Sequence, residues 1–163
     1  MIEIKETTID DLKNVQSLWA DGEVMKFVGF PDGLHETDEE MTGWLRWIES
    51  MRPMGDHFSV YEDGVYCGES FYEIVKEDNY RARMDIKLFP AARGRGIAFK
   101  ALKHAIDRAF ANGAKKCYVV PDPRNERALA LYRRLGMTQK EIPEELFEPD
   151  YPDALYFEIE RCI

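Results

Sequence analysis

Cysteine is scarce. There are three, Cys67, Cys117 and Cys162, far apart and odd in number. That suits a reducing, cytoplasmic setting and gives no zinc spacing. The three histidines, His35, His57 and His104, form no ligand pair, so no metal is expected. His104 falls on the polar side of a helical pattern and reads as a solvent residue. No apolar run approaches the roughly 18 residues of a membrane span, and the first residues lack the apolar region of a secretory signal. Positive charge is also short: 22 Lys and Arg stand against 31 Asp and Glu, a net charge of −9. Nucleic-acid binding usually needs the opposite sign. An acidic surface can attract cationic molecules such as amines, and it also serves plain solubility.

With 45% hydrophobic and 33% charged residues, the chain fits a globular fold. Its 163 residues fit one domain, 1–163. Residues 2–6 alternate as a first strand. Thr8 can cap a helix to about Ala20, with Leu12, Val15, Leu18 and Trp19 on one face. Thr37-Asp38-Glu39-Glu40 looks like a capping box opening a second helix. Apolar runs flank Glu62-Asp63-Gly64, a hairpin signal. A third strand over 81–89 ends at Pro90. Residues 98–110 are helical in period, with Gly113 as C-cap, and 115–120 form a short strand before Pro121. Asn125 can cap a last helix that stops at Gly136. Two strands, near 137–141 and 154–160, flank an acidic loop. This order predicts an α+β domain: a mixed, mostly antiparallel sheet packed by about four helices.

Between the strand ending at Pro90 and the following helix lies Arg93-Gly94-Arg95-Gly96-Ile97-Ala98. A helix start presents unpaired backbone N–H groups and partial positive charge, and glycines let a ligand approach them. The turn therefore reads as a seat for phosphate or pyrophosphate, with Arg93 and Arg95 as added cations. It lacks the Lys-Ser or Lys-Thr of the ATP-type loop, and Phe99 stands where a dinucleotide fingerprint needs a small residue. A tight turn using glycine for positive φ is the plainer alternative.

A second run, Asn125-Glu126-Arg127-Ala128-Leu129-Ala130-Leu131-Tyr132, continues through Leu135-Gly136-Met137. The Arg-x-x-Gly-x-Ala at Arg93, Gly96 and Ala98 resembles the acetyl-CoA pyrophosphate loop of the GNAT superfamily of N-acetyltransferases. The second run resembles that superfamily's second signature helix. The pair covers residues 84–137. Residues 21–28, with the Thr37 helix, resemble the branch of ribosomal-protein N-terminal acetyltransferases, which also holds enzymes acting on polyamines and small amines.

The resemblance implies splayed central strands, acetyl-CoA as co-substrate and no metal. It places the cofactor's arm along the backbone of Ile86 and Leu88, the pyrophosphate over Arg93, Gly94, Arg95, Gly96, Ile97 and Ala98, and Asn125 beside the arm. It makes Tyr132 the proton donor to the leaving thiolate. It implies an amine acceptor, a small molecule or a protein N-terminus, with Phe27, Phe30, Trp44 and Trp47 near its pocket. It leaves monomer and homodimer both open.

Acetylation needs a neutral amine, and a lysine-like amine is neutral in only about one molecule in 2,500 near pH 7. A base or a water chain to one would help. The resemblance expects a glutamate early in the 81–89 strand, where this chain has Ala82. Asp85 is the acid on that strand, and Glu73 and Glu69 on the preceding one are alternatives. Arg83 and Lys87 alternate with Asp85, so that face also reads as salt-bridged. A non-catalytic acyl-CoA-binding module on the same fold is the competing expectation, supported by the missing glutamate and opposed by Tyr132.

Overall fold

The computed structural model describes residues 1–162. Seven strands form one sheet in the order β1-β2-β3-β4-β5-β7-β6. β1 (Ile2–Glu6), β2 (Gly55–Glu62), β3 (Val65–Val75) and β4 (Arg81–Leu88) run antiparallel in sequence. The β2–β3 turn has Asp63 and Gly64 both at positive φ, 50° and 81°. That is the geometry a two-residue hairpin demands.

Helices α1 (Leu12–Trp19), α2 (Gly22–Met25) and α3 (Asp38–Met51) join β1 to β2. α1 is preceded by one 3-10 turn, so the α-helix expected from Thr8 begins only at Leu12. The short α2 brings the number of α-helices among the described residues to five. α3 opens on the expected capping box: Glu40 N–H donates to Thr37 Oγ1 at 3.1 Å, and Thr37 N–H to Glu40 Oε1 at 3.0 Å. After β4 come α4 (Ile97–Ala111), β5 (Lys116–Val119), α5 (Glu126–Arg134), β6 (Thr138–Lys140) and β7 (Tyr156–Glu160).

Alternation along the strands separates two faces. Phe58, Tyr72, Ile74, Ala82 and Met84 point to α4 and α5, meeting Leu102, Ala105, Ile106 and Leu129 in the main core. The opposite face, toward α1 and α3, carries His57, Glu69 and Phe71, with Arg83, Asp85 and Lys87 beside them. Register fixes this second set: Phe71 stands opposite both His57 and Asp85, and Glu69 opposite both Ser59 and Lys87.

β4 and β5 are the one parallel pair described, joined only at Arg81↔Lys116, Ala82↔Cys117 and Arg83↔Tyr118. β5 ends at Val119 and Pro121 follows, while β4 runs on to Leu88. Residues 84–88 thus leave β5, and the sheet opens in a V. The splay of central strands that the resemblance implies is present.

Candidate active site

The cleft on the α4 side of the V measures about 620 Å³. Its walls include Ile86 and Leu88 of β4, Gly96 and Ala98 at the start of α4, and Asn125 and Ala128 of α5. Gly94 and Gly96 sit at φ 85° and 80°, where a side chain would be strained, and a Cβ built on either meets nothing within 4 Å. The turn therefore faces open space with bare backbone. The amides of Ile97, Ala98 and Phe99 precede the first intrahelical bond, Lys100 N–H to Gly96 carbonyl at 3.3 Å. This arrangement can seat an anionic group such as a pyrophosphate.

Cations gather around it. Arg93 lines the cleft and donates to the Leu88 carbonyl at 3.3 Å. Burial and the neighbouring Arg127 guanidinium lower its pKa, a sign of crowded positive charge. Arg124, Arg127 and Arg134 also line the cleft, with Arg124 forked onto Asp122 at 2.9 Å through both Nε and Nη2. In the sequence, the signal of Arg127 and Arg134 was their seven-residue spacing, two turns of one helix face. Arg95 stands apart: its guanidinium donates to Glu62 Oε1 at 2.7 Å and the Ala91 carbonyl at 2.8 Å, and it is not among the cleft-lining residues. Ile97 buries its side chain in the core at 1% exposure, leaving its amide as the part that can face a ligand. Asn125 caps α5, accepting from Ala128 N–H at 3.3 Å, while lining the cleft.

Tyr132 is 7% exposed, its ring 5.9 Å from Phe157. Burial, helped by the charge of Asp85, raises its pKa above the ordinary phenol value. The phenol stays protonated at neutral pH; Tyr132 packs in the main core and is not among the residues lining either cavity.

A second cavity of about 560 Å³ opens on the opposite side of β4. Trp19, Trp44, Trp47 and Phe71 form its aromatic wall, and Glu148, Tyr151 and Asp153 of the β6–β7 loop also line it. Phe27 borders it; Phe30, 40% exposed, and Glu73 are not among its lining residues. Glu73 instead accepts from Arg83 Nε at 2.6 Å.

Beneath this cavity lies a buried polar cluster that the sequence left scattered. Glu69, 4% exposed at its side chain, accepts from Trp19 Nε1–H at 2.6 Å. His57 Nε2 lies 3.0 Å from Glu69 Oε2 but off the line a hydrogen bond needs. His57 Nδ1 meets Thr7 Oγ1 at 2.7 Å, and its ring stands edge-on to Trp44 at 4.6 Å. Burial would push the Glu69 carboxyl up, but His57, Lys87 and the Trp19 N–H together bring it down to about 2. Asp85 is bound by the Lys87 ammonium and accepts from Ile86 N–H at 2.9 Å. Burial pulls the Lys87 pKa down, yet Asp85 and Glu69 more than offset it and hold it above the usual lysine value.

His104 departs from expectation. It is half-buried, edge-on to Phe58 at 4.7 Å, and burial lowers its pKa. Its position on α4 looked polar because helical period describes only the helix itself, not the aromatic ring the sheet lays beside it.

The model of the acetyltransferase (GNAT) domain family matches residues 2–138. The chain belongs to that family. Spermidine N(1)-acetyltransferase of Escherichia coli (strain K12) is 33% identical over 92 residues, 55% of this chain and 50% of the relative. The chain thus matches over about half the length of its curated relatives. Two solved structures superpose over 98% of this chain. An N-acetyltransferase from Staphylococcus aureus Mu50 has a TM-score of 0.80 at 20% identity, covering 98% of that chain. A spermidine N-acetyltransferase from Vibrio cholerae, in complex with CoA and spermine, has 0.79 at 21%, covering 95%. At such identities they establish the fold. Among the described residues no group of three or more His, Cys, Asp or Glu could hold a metal ion, and no helix is long and apolar enough to cross a membrane.

Proposed function

We propose that this domain is an acetyl-CoA-dependent N-acetyltransferase that moves the acetyl group directly to a primary amine. The observation that carries this reading is the meeting of two cavities across β4. One has a glycine-lined helix start with Arg93, Arg127 and Arg134 for a pyrophosphate and phosphate. The other has aromatic and acidic walls for an amine. The family adds its weight, and the curated relatives named for spermidine acetylation favour a cationic acceptor. A polyamine, another small amine or a protein N-terminus all meet that description.

In this reading the backbone of Ile86 and Leu88 holds the cofactor's arm, since residues 84–88 leave β5 and free one edge of the strand. Gly94, Gly96 and the amides of Ile97 and Ala98 hold the pyrophosphate, with Arg93 beside it. Tyr132 gives its proton to the departing sulfur. Glu69, Glu73 and Asp85 each face a cation, Lys87, Arg83 and Lys87 respectively, which disfavours any of them as a free base. The acceptor loses its proton to water in the open cavity, since Asp85 stays bound to Lys87. The free cysteines fit a reducing, cytoplasmic setting.

The test is thiol release from acetyl-CoA over a panel of amines: spermidine, putrescine, small monoamines and short peptides with free N-termini. Amine-dependent release with an acetylated product is the expected result. A protein that binds acetyl-CoA yet acetylates nothing in the panel is instead a non-catalytic acyl-CoA module.

A further inference from the structure

Two residues, Phe27 and Lys87, are common to the walls of both cavities. On the acetyltransferase reading, on which this inference rests, an acetyl group bound in one cavity meets the amine in the other at this border. Phe27 brings no charge there. Lys87 brings an ammonium, 11% exposed at its side chain.

An ammonium carries three N–H donors. One of them serves Asp85. Glu69 Oε2 is 3.9 Å away, too far for a hydrogen bond though close enough to attract. Among the described residues the other two N–H groups have no hydrogen-bond partner. The carboxylates keep the group charged and fix it in place. Glu69 is itself immobilised, because Trp19 and His57 grip it from α1 and β2. The result is a pre-positioned cation with donors left over, in a low-dielectric wall where charge–charge energies are larger than in water.

The geometry points to Lys87 as a catalytic residue whose ammonium donates an N–H to the thioester carbonyl oxygen and stabilises the negative charge gathering there as the amine attacks. The amine nitrogen's electron pair forms the new C–N bond. The C–S bond breaks, and sulfur leaves with its electron pair and takes up a proton. The nitrogen's surplus proton passes to water. Lys87 neither gains nor loses a proton, so its effect is electrostatic.

The experiment is isotope-edited infrared spectroscopy of acetyl-CoA labelled with ¹³C at the carbonyl, bound to the parent protein, Lys87→Met and Lys87→Arg. Parallel measurements give acetyl-CoA affinity and, with an accepted amine, kcat and both KM values. In the parent the bound carbonyl stretch should lie below its frequency in solution, and Lys87→Met should return it toward that frequency. The same variant should lose about 10²-fold in kcat while acetyl-CoA affinity stays within roughly threefold. Lys87→Arg, which keeps the charge and N–H donors, should retain part of the shift and of the rate. An unshifted carbonyl in the parent overturns the proposal, as does parent-level kcat in Lys87→Met. A loss confined to the acceptor KM also overturns it and assigns Lys87 to acceptor binding. If Lys87→Met does not fold, the parent spectrum and Lys87→Arg still decide. Acetyl-CoA that binds but meets no accepted amine overturns the transferase reading and leaves the infrared result to judge Lys87. Acetyl-CoA that does not bind overturns both.

Discussion

The indole N–H of Trp19 and the carboxylate of Glu69 meet at 2.6 Å, 50 residues apart in the chain. This bond ties α1 to the centre of the sheet directly beneath the amine-side cavity. It also gives a buried carboxylate its shortest donor. Trp19→Phe keeps most of the ring and removes the donor. We expect a loss of about 1.5–3 kcal/mol, the range for hydrogen bonds to charged groups. For a chain of this size each kcal/mol lowers Tm by about 2–4 °C. A Tm equal to the parent's would mean that solvent replaces the indole and that Glu69 is less isolated than it stands here.

Acid should act on the same carboxylate. The Glu69 carboxyl is brought down to about 2 in the fold, from an ordinary value of 4.5. A lowered carboxylate pKa contributes stability that is fully present above the unfolded value and lost as pH falls toward the folded one. The window is therefore from about 4.5 down to about 2. In chemical denaturation at several pH values, Glu69→Gln should lose less stability across that window than the parent does. Parallel acid limbs would show that other carboxylates govern acid unfolding.

Gly68 tests how closely β3 and β4 approach at the cofactor strand. A Cβ there would lie 2.0 Å from the Lys87 carbonyl oxygen and 2.8 Å from Leu88 Cα, both backbone atoms. Backbone cannot swing aside as a flexible side chain can, so the strands must part. Gly68→Ala should cost about 1–3 kcal/mol as overpacking. Because Leu88 and Lys87 border the cleft, acetyl-CoA should also stabilise the variant less than the parent in a thermal-shift titration. An undiminished shift would separate the packing of β3 from the cofactor edge.

The parts of this site that a local pattern encodes were legible in the sequence. Asp63-Gly64 announces a hairpin because few residues accept positive φ at both positions. Thr37 and Glu40 announce a helix start through reciprocal hydrogen bonds three residues apart. The Gly94 and Gly96 turn combines both kinds of cue at one point. Trp19, His57, Glu69 and Lys87 carry no comparable signal. Each lies on a different element, each looks ordinary in its own alternation, and register alone brings them together. Glu69 could be named as a possible base, but not as a carboxylate bonded by Trp19 and flanked by His57 and Lys87, since none of the three is its sequence neighbour. Arg95 shows the converse: a cation in the right motif turns to Glu62 because the β2–β3 hairpin offers a closer partner.

The step most open to direct challenge is the proton given to sulfur. Tyr132 is buried, and both burial and Asp85 raise its pKa. Tyr132→Phe keeps the ring against Phe157 and removes only the hydroxyl. If the phenol protonates the leaving sulfur, kcat should fall about 10²-fold or more. Acetyl-CoA should still raise Tm, because the turn and the α4 amides are untouched. The pH profile gives a second reading. An ordinary phenol would begin to ionise near pH 10 and end the donor's usefulness there. A phenol held above that value stays protonated, so kcat in the parent should show no Tyr132-dependent decline up to about pH 10. Parent-level turnover by Tyr132→Phe with a good amine would make Tyr132 a packing residue. The sulfur would then take its proton from solvent, and α5 would contribute only the arginines and Asn125 that border the cleft.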